Sequence, residues 1–306
     1  MITALALSLL VAQPSPSRRF HIEQTILVPA QPGALTLWVP LPHDDAWQTV
    51  TVGESAAAVE VVKDALGNQA ARYQLPAAGG TLHVAYTVER RERAADLAAA
   101  SGKPGAGGND RWLKDDKLVQ VDEKIRALSQ KITAEARTPL EKARAIYAYT
   151  LANMKYQKTG DGWGNGSIIW ACTEKYGNCT DFHALFMGLA RAAGIPARFE
   201  IGRSVPPGSG EVQGYHCWAD FWVDGAGWVP VDASEAWKHP EKRDYFFGHH
   251  DDDRFALSTG RDLTLPGMKG APLNYFVNPY GEGADGTPAK GVTQTTRVTA
   301  LVAAAR

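Results

Sequence analysis

The stretch YGNCTDFHALFMGLARAAGIPARF, residues 176–199, leaves the chain little choice of structure. Phe182, Leu185, Phe186 and Leu189 lie on one apolar stripe at helical spacing. Gly194 ends that helix and Pro196 blocks its continuation. The stripe starts just after Gly177, Asn178 and Cys179, so the helix opens on a cysteine. Beyond it the period changes. ARFEIGR, YHCWADFWVD and GWVPVDA read as strands, and DGAG as the turn joining the last two. A helix feeding an antiparallel sheet is an α+β pattern.

The rest of the chain divides around this unit. From Phe20 to about Arg93 the runs FHIEQTILV, ALTLWVPLP, WQTVTVG, VEVV and GTLHVAYTV are β-branched or aromatic, split by turn-forming clusters. They predict a small β-sandwich over residues 19–93 with no chemistry of its own. Residues 94–114 are rich in Ala and Gly and read as a linker or mobile loop. In the next section, Thr138 and Pro139 predict a helix cap and first turn, with Glu141 at capping-box distance. The main unit is expected over 115–270, and 271–306 as a C-terminal extension ending in the strand-like TRVTALV.

Residues 1–18 contain an apolar run, Ile2 to Ala12, too short to span a bilayer. With small residues before a polar stretch, it reads as a secretory signal that lacks the usual basic start, and predicts a periplasmic or secreted protein. No other segment looks membrane-spanning. Lys plus Arg number 32 and Asp plus Glu 33, a net charge of −1. That balance argues against nucleic acid or an anionic membrane surface as a partner. Three cysteines exclude a disulfide scaffold. Cys172 and Cys217 are expected to pair if the protein is exported, leaving Cys179 free.

A helix N-terminus carries unpaired N–H groups and the positive end of the macrodipole. A thiol placed there has its thiolate stabilised, and the nearby N–H groups can receive a developing oxyanion. A nucleophilic cysteine also needs a base and a group that orients the base. His216, in YHCWADF, and Asp232, in GWVPVDA, lie on strands joined by DGAG. Both numbers are even, so a hairpin centred near Asp224 would put them on one face, unless Pro230 introduces a bulge.

GNCTDFHALFMGLARAAGIPARF followed by YHCWADFWVDGAGWVPVDASEA resembles the bacterial branch of the transglutaminase-like superfamily. The resemblance covers roughly residues 138–270, including the downstream DDDRFALSTGRDL. It implies a papain-like transglutaminase core, a helix packed on an antiparallel sheet, preceded by the small β-sandwich. It further implies that Cys179 is the nucleophile, His216 the general base and acid, and Asp232 the orienting carboxylate. Animal members carry a Trp directly after the cysteine where this chain has Thr180, and their calcium dependence has no visible counterpart here. The expected activity is thiol acyl transfer on a peptide or protein substrate, without cofactor or metal. Hydrolysis by a peptidase or amidase is the preferred form. Glutamine transamidation and a catalytically silent binding module of the same fold are the alternatives.

Plainer readings exist for each residue. Cys179 could be a buried structural thiol, His216 a satisfied strand histidine and Asp232 a cap. Cys172, Cys179, His183, His216 and Cys217 match no common zinc spacing. His249, His250 and Asp251 to Asp253 read as a solvated polar loop rather than a metal cluster. Trp163, in GDGWGNGS, could wall a cleft or assist an oxyanion site.

Overall fold

The computed structural model describes residues 17–53, 60–103, 105 and 107–301. The signal expected over 1–18 lies outside the described residues up to position 16. Ser17 and Arg18 open the first strand.

Seven strands come first: β1 (Ser17–Val28), β2 (Leu35–Leu41), β3 (Gln48–Val52), β4 (Glu60–Lys63), β5 (Gln69–Leu75), β6 (Gly80–Arg91) and β7 (Arg93–Ala94). A helical section follows, with α1 (Glu123–Ile132), α2 (Pro139–Asn153), β8 (Lys155–Tyr156), α3 (Ile168–Thr173), β9 (Tyr176–Gly177) and α4 (Cys179–Ala192). Then come β10 (Ala197–Ser204), β11 (Gly210–Glu211), β12 (His216–Val223), β13 (Gly227–Val231), α5 (Ala233–Lys238), β14 (His249–His250) and β15 (Arg254–Thr259). The last strands are β16 (Tyr280–Gly283) and β17 (Thr293–Leu301).

The sandwich is made from both ends of the described chain. One sheet runs β11-β17-β1-β6-β3 and the other β16-β2-β5-β4. The strand-like C-terminal segment is therefore a member of the first sheet, antiparallel to β1 with Arg19 opposite Leu301. Alternation along β1 explains its place: Phe20, Ile22, Ile26 and Val28 are buried, while Glu23, Thr25 and Leu27 face out. Its inner face meets the second half of the molecule, where Phe255 packs on Phe20 and Tyr86 at centroid distances of 5.9 and 6.0 Å. One apolar cluster continues from there to Phe186 of α4 and Phe221 beneath it.

The second half is α4 on an antiparallel sheet of order β13-β12-β10-β15. Thirteen of the fourteen α4 residues are buried, so this helix is the centre of its layer rather than an amphipathic cover. The capping box expected at Thr138 and Glu141 is present at the start of α2. The β12–β13 hairpin centres on Gly225, with Val223 opposite Gly227, one position later than expected. Parity is unaffected by that shift, so even-numbered residues still share a face. Pro230 sits opposite Asp220 on an edge strand, where its missing N–H costs no ladder bond.

Residues 94–101, expected as a linker, are bonded to this sheet: Ala95 N–H donates to Gly248 O and Ser101 N–H to Asp224 O. Beside them Arg93 grips both Asp220 oxygens at 3.0 Å, and Arg198 reaches the same carboxylate at 2.9 Å. A buried carboxylate held by two guanidiniums ties β7 of the first half to β12 of the second.

Candidate active site

Asn178 caps α4. Its side-chain oxygen accepts from Thr180 N–H at 2.9 Å, and Asp181 reaches back to Asn178 N–H at 3.0 Å, a capping box. Cys179 is thus the first residue of the helix, and its own N–H has no acceptor within the helix. Asp181 was not singled out in the sequence, although an Asn and an Asp three apart at a helix start are a signal. It also accepts from Gly164 N–H at 2.7 Å and Gly166 N–H at 3.0 Å, fastening the Gly-rich loop onto the nucleophile helix. Gly177 permits this: a Cβ there would lie 2.1 Å from the Asp181 carboxylate. Trp163 uses its indole N–H on Gly160 O, within its own loop.

The three residues predicted to act together do come together. His216 Nε2 is 2.7 Å from Asp232 Oδ2, which leaves Nδ1 for the Cys179 sulfur within hydrogen-bonding reach. Cys179 and His216 are almost wholly buried and Asp232 completely so. Burial alone would raise the Cys179 pKa. Hydrogen bonds from Cys217 and His216, with the His216 charge, outweigh it and hold the thiol well below its ordinary value. Burial alone would lower that of His216. The charge and hydrogen bond of Asp232, with the bond to Cys179, lift it to about 10. Both directions favour a thiolate–imidazolium pair.

Asp232 is both cap and partner. Its Oδ1 accepts from Glu235 N–H and Ser234 Oγ–H, each at 2.9 Å, and so starts α5. Its Oδ2 accepts from His216 and from Arg254 Nη1, each at 2.7 Å. Burial would raise its pKa, but the His216 and Arg254 charges hold it well below the carboxylate range. Arg254 went unnoticed in the sequence, because a lone arginine opening the strand RFALST carries no pattern.

Two more groups complete the interior. His183, one turn after Cys179, accepts Ala233 N–H on Nε2 at 3.2 Å. Its proton is therefore on Nδ1, 3.7 Å from Cys217 Sγ. Cys217 was expected to pair with Cys172 if the protein is exported. Instead its Sγ lies 3.7 Å from His183 Nδ1, beside the Cys179 thiol, and all three cysteines are free. Cys172 sits apart on α3, half-buried.

Among the described residues, potential metal-ligating atoms converge within 4.8 Å at His216, Asp232 and Glu235. Arg254 already occupies Asp232, and Lys238 bonds Glu235, so the negative charge a cation would need is matched. The 249–253 run is not a solvated loop. His249 and His250 form β14, His250 lies fully buried edge-on to Trp218, and Asp251 accepts from Arg254 Nε at 2.8 Å.

Residues 126–233 match the model of the transglutaminase-like superfamily, so this segment has a transglutaminase-like core. A relative, an uncharacterized protein of Haemophilus influenzae, is 28% identical over 298 residues, covering 82% of this chain and 81% of its own. A crystal structure described as "a Putative Cysteine Protease from Cytophaga hutchinsonii" superposes with a TM-score of 0.62 at 18% identity, covering 96% of this chain and 94% of that one. The fold likeness extends over the sandwich as well as the core. None of the described helices is long and apolar enough to cross a membrane.

Proposed function

We propose that this chain, whose residues 126–233 make a transglutaminase-like core, is a cysteine-dependent acyl-transfer enzyme acting on amide or peptide bonds. The observation that carries the reading is the buried His216–Asp232 hydrogen bond set beside the Cys179 thiol, which lies at the N-terminus of a buried helix. The Cys179 thiolate attacks the carbonyl carbon. The oxygen that becomes negative is met by the Cys179 N–H and the positive end of α4. The His216 imidazolium gives its Nδ1 proton to the departing amine, and a thioester remains. Neutral His216 then takes a proton from the incoming nucleophile, and the thioester is resolved.

Water is the acceptor in this proposal, which makes the enzyme a peptidase or amidase. The apolar run near the N-terminus supports a place outside the cytoplasm, where peptide and protein substrates are at hand. The test offers wild type and Cys179→Ala a peptide mixture with a labelled primary amine. New peptide termini or released ammonia from wild type alone are expected. Amine carried into product in preference to water would sink the hydrolase form and favour transamidation.

A further inference from the structure

Arg254 is a buried guanidinium set against the carboxylate that orients the proposed base. Nη1 donates to Asp232 Oδ2 at 2.7 Å, the same oxygen that accepts from His216 Nε2 at 2.7 Å. Nε donates to Asp251 Oδ1 at 2.8 Å. The group is 2% exposed, walled by the rings of Trp218 and Phe246 at 5.4 and 5.9 Å. Trp218 is also the neighbour of the His216 ring, at 6.1 Å. A cap residue needs no such partner. Ser234 and Glu235 N–H already satisfy Oδ1, and His216 would satisfy Oδ2.

An imidazolium facing an unshared buried carboxylate holds its proton tightly and is a weak acid. A second cation on the same oxygen divides the carboxylate's attraction and repels the imidazolium directly. We propose that Arg254 is a positioning residue for the acyl transfer, fixing Asp232 in place and setting how readily His216 releases its proton to the leaving amine. The inference rests on the function proposed above. Arg254 reaches neither the thiol nor any reacting atom.

The neighbourhood leaves this role to Arg254. His183 on α4 and His250 on β14 are held neutral by burial, which lowers the pKa of each. Glu235 on α5 stands 3.8 Å from His216 but is bonded to Lys238. Arg93 on β7 is taken by Asp220, and Arg90 on β6 lies toward Gln48 and Asp45. Tyr147 on α2 donates to Arg243 O, and Cys217 on β12 stays a thiol because burial and Cys179 push its pKa up. Asp251 is the counter-charge on the far side of Arg254. It shares a hydrogen bond with Asp253, whose carboxyl burial and that bond push up to about 7.

The test is the pH dependence of Cys179 alkylation by iodoacetamide, with the His216 imidazole followed by NMR, in wild type, Arg254→Gln, Arg254→Lys, Asp251→Asn and His216→Ala. Two 2.7 Å bonds to one oxygen put the cations roughly 5 Å apart. At an effective dielectric near 20, a unit charge at that range moves a titration by about two pH units. Arg254→Gln is expected to move the loss of the imidazolium upward by about two units, and Arg254→Lys to restore most of it. Asp251→Asn, at a position 24% exposed, is expected to move it down, because a negative charge that favours the imidazolium is gone. This last variant keeps the inference open to refutation should Arg254→Gln fail to fold. A folded Arg254→Gln with the wild-type profile, or an Asp251→Asn profile that is unmoved or moves up, overturns the inference while leaving the triad intact. A wild-type Cys179 that titrates as an ordinary thiol, indifferent to His216→Ala, overturns the proposed function itself.

Discussion

Asp232→Asn changes one atom at the best-bonded side chain of the site. The carboxylate accepts four hydrogen bonds, two on each oxygen. An asparagine has a single acceptor oxygen and must choose a side. With its NH2 toward His216 and Arg254 it would strand a buried guanidinium, a loss of about 3–5 kcal/mol. With its oxygen there, Ser234 Oγ can rotate to accept, but Glu235 N–H loses its cap, about 1 kcal/mol. The two bonds that remain lose their charged acceptor, about 1 kcal/mol each. The second orientation wins, and the variant should be about 3 kcal/mol less stable by denaturant unfolding at pH 7 yet remain folded. Because Asp232 is ionised far below the ordinary range, the gap should hold as pH falls and close only below about 3.9, where the unfolded carboxyl takes its proton. Reactivity should fall further than stability. Without the charge that overrides burial, His216 is neutral at pH 7 and Cys179 reverts to the thiol, so iodoacetamide alkylation should slow at least about tenfold. A stability loss under about 1 kcal/mol would refute the bond accounting. Unchanged alkylation in a destabilised variant would reduce Asp232 to a helix cap.

Three further outcomes are expected. His216 is raised to about 10, so its contribution to stability is whole below about pH 6.5 and lost as pH rises toward 10, which denaturant titrations at pH 6.5, 8 and 10 should show and His216→Ala should abolish. Gly202→Ala places a Cβ 1.8 Å from the Phe255 carbonyl oxygen, a backbone atom that moves only if β10 and β15 part, so a loss of about 3 kcal/mol in unfolding free energy is expected. Cys172, pushed up to about 11 chiefly by burial, should alkylate only at strongly basic pH while Cys179 reacts near neutrality, read site by site by mass spectrometry.

The nucleophile helix was legible because its signals are local. Its cap, apolar stripe, glycine stop and proline follow one another in the sequence, and the hairpin behind it is joined by a short turn. The parity argument for His216 and Asp232 needed only the period of a strand, so it tolerated an error of one in the turn centre. Long-range partners left no such trace. Strand β5 hid in NQAARYQL, whose small and polar residues resemble a turn, and its identity comes from pairing with β2 and β4. The C-terminal strand was visible as a strand, but nothing in TRVTALV names β1 as its neighbour. Arg254 and Cys217 matter only through what they touch, and contact across sheets and helices is not written in spacing.

The pairing of β1 with β17 also governs the order in which the molecule can assemble. Arg19 meets Leu301 across almost the whole described length, and closing a loop of that size costs about 3 kcal/mol more than closing a ten-residue hairpin. The β12–β13 hairpin and the helices before it involve far shorter loops and can gather early, while the sandwich waits for its last strand. Until then Phe20, Ile22 and Ile26 lie on a strand with a bare edge, a surface that invites pairing between molecules. A refolding experiment should accordingly show a late, concentration-sensitive phase that belongs to the sandwich, with the thiol helix already formed beneath it.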